Sequence, residues 1–303
     1  MDVYNPDALW LKARLFMNHA MDAGEPRAFD ERALWATLAL ELLGKAALAR
    51  VSPLLIAVPN EEGHHLLAAS GLVAGDGPSM TVSAATVFKR CARAFRPFNS
   101  TESLQLANNR NQYLHSGMAT FTGLPETAFW PALWSQAVIL ILAQDREIAD
   151  FVGEDRASEV EAHLARNRAH VEQRAETLIG LARQNLDLVT SGHAPERIAA
   201  AYRRKVDLSA GLRHSETATC PACGADGTLE GEQEAGHEIR YEQVADDDFD
   251  AFVDVSVYAD YFSCPRCRLV LDGSELLEAA GLESSFDVEG DISDYMSEEY
   301  GND

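Results

Sequence analysis

The chain has 303 residues, 47 % of them hydrophobic and 8 % aromatic, with 25 Lys+Arg against 48 Asp+Glu and a formal net charge of −23. This length predicts roughly two domains, each able to bury a core, and the composition is that of a soluble globular protein. The acidic start "MDVYNPDALW" carries no basic n-region, so no secretory signal is expected. The longest apolar run, Ala137 to Ala143, falls far short of the roughly 20 residues needed to span a bilayer, so a cytoplasmic protein without membrane association is expected.

The charge is unevenly placed. Residues 1–150 carry 12 Lys+Arg against 15 Asp+Glu, residues 151–215 carry 10 against 9, and residues 216–303 carry 3 against 24. A polyanion is repelled by the last segment but can approach the rest.

In chain order, Asn5 and Pro6 form a helix start signal, as N-cap and first helical residue. "FDERALWATLALELLGKAALARV" is apolar nearly all round and predicts a central helix, with Asp30 as its cap. Asn60 is expected to cap a short helix, and Ser83 or Thr81 to cap "AATVFKRCARAF", which Pro97 closes. Residues 99–103 open a further helix that ends at "HSG", and a long helix is expected over Trp130 to Ala149. Asp155 to Thr190 is charged with sparse apolar positions, which predicts a long, partly exposed helical arm, and "APERIAAAYRRKVDL" ends the helical region. Arg203, Arg204 and Lys205 read as a solvated helix end.

After Ser209 short alternating runs predict strands, and "GSELLEAAGL" a short helix. The expected fold is mainly α: a helical bundle over 1–150 and a helical extension over 151–209. A small β-rich, acidic zinc ribbon follows over 210–282, then a disordered acidic tail over 283–303.

Four of the five cysteines lie in "CPACG" (Cys220, Cys223) and "CPRC" (Cys264, Cys267). Two Cys-x-x-Cys knuckles deliver four thiolates, the donor set of a closed structural Zn²⁺ site. Two redox pairs or disulfides are the competing reading, which a reducing compartment disfavours. Four thiolates leave no open position for water, so catalysis is not expected there. The long segment between the knuckles predicts an extra hairpin. Cys91 reads as a buried free thiol.

The other conspicuous stretch is "ANNRNQYLHSG", Ala107 to Gly117. Metal-free RNA cleavage needs a base for the 2′-hydroxyl, a cation for the phosphate and an acid for the leaving oxygen. Histidine serves as base or acid and arginine as phosphate fork. Asn111 and His115, four apart, share a helix face, whereas Arg110 lies about 140° round from His115. A helix end, a distortion or a two-fold pooling of motifs would bring them together. On spacing alone the motif is weak: Arg14 and His19 repeat it without the following Asn, and a polar helix face is the favoured explanation.

"RNQYLH" within an all-helical domain, preceded by the apolar helix "ALELLGKAAL", resembles the HEPN superfamily, whose signature is Arg-x₄₋₆-His. The resemblance covers roughly residues 1–150. It implies a helical homodimer with two motifs facing one cleft, and metal-independent cleavage of an RNA substrate to a 2′,3′-cyclic phosphate, in toxin or antiviral-defence systems. By the same resemblance Arg110 would bind phosphate, Asn111 would orient, and His115 would do acid–base work. The branch silenced by nucleotide transfer has a Tyr two places after the His, where this chain has Gly117. Glu41 has two readings: an i,i+4 pair with Lys45, or a contact orienting Arg110 or His115.

A second class remains open: a non-catalytic dimeric adaptor whose acidic ribbon recruits a basic regulatory protein. A DNA-binding regulator fits poorly, because the ribbon has only Arg240, Arg266 and Arg268 as cations.

Overall fold

The computed structural model describes residues 3–22, 27–73, 80–204, 206–245, 248–291 and 295; for 242–245 and 248–251 it describes the backbone alone. The chain divides into two compact units, Met1–Arg168 and Ala169–Asp303. Among the described residues there are ten α-helices and seven strands, and no helix is long and apolar enough to cross a membrane.

The first unit is helical: α1 (Pro6–Met21), α2 (Phe29–Val51), α3 (His64–Ala69), α4 (Ala84–Ala94), α5 (Ser100–His115), α6 (Glu126–Leu142), α7 (Ile148–Val152) and the start of α8 (Glu154–Thr190). Asn5 caps α1, its Oδ1 accepting from the Ala8 amide at 2.9 Å, with Pro6 in the first turn. Helix α2 is central and packs against α1, α4, α5 and α6. Its buried face is built of Ala33, Ala36, Ala39, Ala46 and Ala47, small side chains that let neighbouring helices approach. At Gly44 the approach is tightest: a Cβ there would lie 3.0 Å from Val87 Cγ1 and 3.3 Å from Cys91 Sγ on α4. Trp134, Phe88, Phe121, Phe129 and Phe151 fill the remaining core, each stabilising the unit by roughly 1.5–3 kcal/mol through apolar burial.

Buried Gln136 of α6 fixes where α5 begins. Its Oε1 accepts from the Asn99 amide at 2.7 Å and its Nε2 donates to Glu102 at 3.1 Å. Asn99 in turn caps α5, its Oδ1 accepting from the Thr101 and Glu102 amides.

Three helix boundaries differ from expectation. Asp30 is not the cap of α2; Ala28 holds that position, and the Asp30 carboxylate accepts from Tyr113 at 2.8 Å instead. Asn60 does not cap α3, because Gly63, at φ 66°, turns the chain into it. The helix expected over Trp130 to Ala149 is two: Asp145, at φ 55°, breaks it, and Glu147 and Asp150 form a capping box that starts α7.

The division between the two units falls inside α8, between Arg168 and Ala169. In the second unit Ala175 and Ala182 of α8 are core residues, followed by α9 (Glu196–Arg203). Strands β1 (His214–Thr219), β2 (Asp226–Gly231), β5 (Tyr261–Ser263) and β6 (Val270–Asp272) form an antiparallel sheet in the order β1-β2-β5-β6. Strands β3 (Glu234–Ala245), β4 (Asp248–Tyr258) and β7 (Ser285–Gly290) form a second, ordered β3-β4-β7, with α10 (Ser274–Ala279) before β7. The β3–β4 hairpin is the extra hairpin expected between the knuckles. Strand β4 alternates, with Val253, Val255 and Val257 buried.

The disordered tail expected over 283–303 is corrected at its start. Ser285–Gly290 pairs with β4, because Phe286 and Val288 alternate with polar neighbours and pack on the core. Most of the remaining tail lies outside the described residues.

Candidate functional site

Helix α5 carries the motif in its last turn and a half and ends at His115, with Ser116 as C-cap. The following loop folds back on the helix: Thr120 donates to the Asn109 carbonyl at 2.7 Å, and buried Phe121 packs on Tyr113 with ring centroids 5.5 Å apart. Tyr113 donates to Asp30 of α2, and that hydrogen bond, more than burial, raises its phenol pKa.

The structure brings Glu41, Arg110 and Asn111 together. Arg110 is 7 % exposed. Its Nη1 donates to Glu41 Oε2 at 2.5 Å, and its Nε and Nη2 donate to Asn111 Oδ1 at 3.2 and 2.9 Å. Every guanidinium nitrogen is therefore committed, and the fork that spacing offered to a phosphate is held inside the protein. Glu41 contacts both cations, because its other oxygen accepts from Lys45 at 2.7 Å. Burial raises the Glu41 pKa, but Lys45 and Arg110 outweigh it and hold the carboxyl below its ordinary value.

His115 stands apart from this cluster. It is exposed, and its imidazole has no hydrogen-bond partner among the described residues. Asn111, one turn earlier, is also exposed. With its Oδ1 taken by Arg110, its NH₂ group remains as a donor on the same helix face as His115. Leu114, next to His115 in sequence, and Met118 are also exposed.

The second candidate is the cysteine cluster. The Sγ atoms of Cys220, Cys223, Cys264 and Cys267 lie within 4.8 Å of one another, with Cys220 to Cys267 at 3.5 Å and Cys223 to Cys264 at 3.7 Å. A tetrahedron of thiolates about 2.3 Å from a central ion has edges of about 3.8 Å, so the four residues fit one metal ion. Each knuckle is the tip of a hairpin, β1–β2 or β5–β6, and the two share one pattern. The Gly224 amide donates to Cys220 O at 2.9 Å and the Arg268 amide to Cys264 O at 2.8 Å. The residue after the second cysteine is left-handed in both, Gly224 at φ 68° and Arg268 at φ 61°.

Cys91 takes no part. It is buried, and burial pushes its thiol up to about 12.

Sequence reasoning missed Glu230, a buried carboxylate that clamps the segment entering β1. Its two oxygens accept from the amides of Ala210, Gly211 and Leu212 at 3.0, 2.8 and 3.1 Å. Its partners are backbone groups about twenty residues earlier, which leave no side-chain signature.

Comparison with protein-family models, curated proteins and solved structures found no match to this chain.

Proposed function

We propose that the chain is a metal-independent endoribonuclease of HEPN type, acting as a homodimer, with an accessory unit folded around a structural Zn²⁺. The observation that carries this reading is the exposed His115 at the end of α5, on one face with an Asn111 amide backed by the buried Arg110–Glu41 pair. In this reading His115 of one copy takes the ribose 2′-hydroxyl proton, and its counterpart protonates the leaving 5′-oxygen. The 2′-oxygen attacks phosphorus, and the products are a 2′,3′-cyclic phosphate and a 5′-hydroxyl. Asn111 donates to a phosphate oxygen, and Arg110 supplies positive charge from behind it, which shifts the contact first expected of Arg110 onto its neighbour. Glu41 positions Arg110. Zinc suits the four-thiolate cluster, where it would tie the two hairpins together. Toxin or antiviral-defence biology follows from the family resemblance alone.

The test is cleavage of labelled RNA in EDTA by the full chain, with zinc retention followed by native mass spectrometry. Cleavage that persists in wild type and vanishes in His115→Ala supports the reading; equal cleavage by the two proteins refutes it.

A second reading has its own observation. A guanidinium whose every nitrogen is committed to Glu41 and Asn111 is also what a purely structural helix tie looks like. In that case the chain is a dimeric adaptor, its acidic unit recruiting a basic protein, and folded dimer leaves RNA intact.

A further inference from the structure

The second unit contains a groove away from the motif and bordered on one side by Cys267 of the metal cluster. It lies between the C-terminal part of α8, α9 and the second cysteine knuckle, and holds about 460 Å³, within the roughly 300–1,000 Å³ span of ligand sites. Leu181, Ile198 and Leu269 give it aliphatic walls. Leu181 is 50 % exposed although its helix neighbours Leu178 and Ala182 pack into the core. The walls are tied together: the Tyr202 hydroxyl of α9 donates to the Cys267 carbonyl at 2.8 Å.

The groove's polar rim has one sign. Arg197 and Arg268 line it. Arg197 is exposed and has no ion-pair or hydrogen-bond partner among the described residues. Arg268 lies over the Tyr202 ring at 5.9 Å. Asn185, half-buried and without a side-chain hydrogen bond among the described residues, adds an amide. Of the three cations in residues 216–303, Arg266 and Arg268 both belong to this knuckle. Positive charge is thus gathered beside exposed Leu181 in a unit that is otherwise strongly acidic.

We propose that this groove binds an acidic peptide segment bearing aliphatic anchors. Leucine-like side chains enter between Leu181, Ile198 and Leu269, Arg197 and Arg268 take flanking carboxylates, and Asn185 bonds the peptide backbone. A single-stranded nucleic acid fits less well, because its bases ask for aromatic platforms, and the walls here are mainly aliphatic. The strongly negative remainder of the unit confines an acidic ligand to this spot and repels it elsewhere.

The inference is independent of RNA cleavage and is tested on the full, metal-loaded chain. Fluorescence anisotropy would follow a fluorescein-labelled peptide of about a dozen residues mixing Glu and Leu. Controls are the same peptide with Lys for Glu, one with Ser for Leu, and a labelled oligo-uridine. The expected result is saturable binding of the Glu/Leu peptide alone, weakening as salt rises and roughly tenfold weaker in Arg197→Glu and in Leu181→Lys. Both changed residues are exposed, and circular dichroism with metal content verifies folding. Equal binding of the Lys peptide, preference for oligo-uridine, no saturable binding, or unchanged affinity in both folded variants would overturn it.

Discussion

Glu41 on α2 is shared between two cations: its Oε2 accepts from Arg110 on α5 at 2.5 Å, while its Oε1 accepts from Lys45 on its own helix at 2.7 Å. The pair joins the central helix to the helix that carries the candidate site. Removing one partner leaves a largely buried charge uncompensated. Glu41→Ala is therefore expected to destabilise the first unit by about 3 kcal/mol, the lower end for broken buried pairs, read from urea unfolding.

The same contact has a pH signature. The Glu41 carboxyl titrates below its ordinary value of 4.5. A folded pKa below the unfolded one gives stability that is complete above the unfolded value and is lost as pH falls through the folded value. The stability gap between wild type and Glu41→Gln is thus expected to be constant from neutrality to about pH 5 and to close below that. Paired urea titrations across that range measure it, and a gap that widens with acid would contradict the assignment.

Gln136 is the hinge pin of α5. Gln136→Leu leaves the Asn99 amide without its acceptor at the helix start, and an unsatisfied buried donor costs roughly 1–3 kcal/mol. Hydrogen exchange should quicken over the first turn of α5 before it does so in α2.

The two knuckles predict opposite responses to small changes. Gly224→Ala places a Cβ at φ 68° and should destabilise the second unit by about 1–2 kcal/mol. Arg268→Gly relieves the equivalent strain at φ 61° and should be neutral or slightly stabilising. Thermal melts of the metal-loaded protein compare them.

Metal content provides a further check. One zinc per chain is expected by elemental analysis and should be lost in Cys223→Ser together with near-ultraviolet signal from the second unit. Cys91 should stay inert to alkylating reagents until the first unit unfolds, because a thiol held near 12 is protonated and buried.

Local chemistry was legible in the sequence. Asn5-Pro6 and Asn99 mark helix starts that the structure keeps, and the Cys-x-x-Cys spacing marks a cluster that it assembles. Long-range choices were not. Asp30 looks like a cap until Tyr113, 83 residues away in sequence, claims its carboxylate. Glu230 looks like one more surface acid until three backbone amides surround it. In α8 Ala175 and Ala182 are core residues while the larger Leu181 is exposed, a choice that the sparse apolar pattern of a charged helix did not single out. Strand β7 hid in an acidic stretch whose net charge masked the alternation of Phe286 and Val288. At the motif, spacing set Asn111 and His115 on one face; that Arg110 turns inward to Glu41 depends on α2 and could not be read from α5.

The central claim is that His115 drives attack by a ribose 2′-hydroxyl. Its most direct measurement is the end chemistry of RNA treated with the metal-loaded chain in EDTA, beside a matched substrate with 2′-deoxyribose at the cleaved position. The account predicts 2′,3′-cyclic phosphate ends from the RNA and no cut in the deoxy substrate. Scission of the deoxy position, or 3′-hydroxyl ends from the RNA, would contradict it.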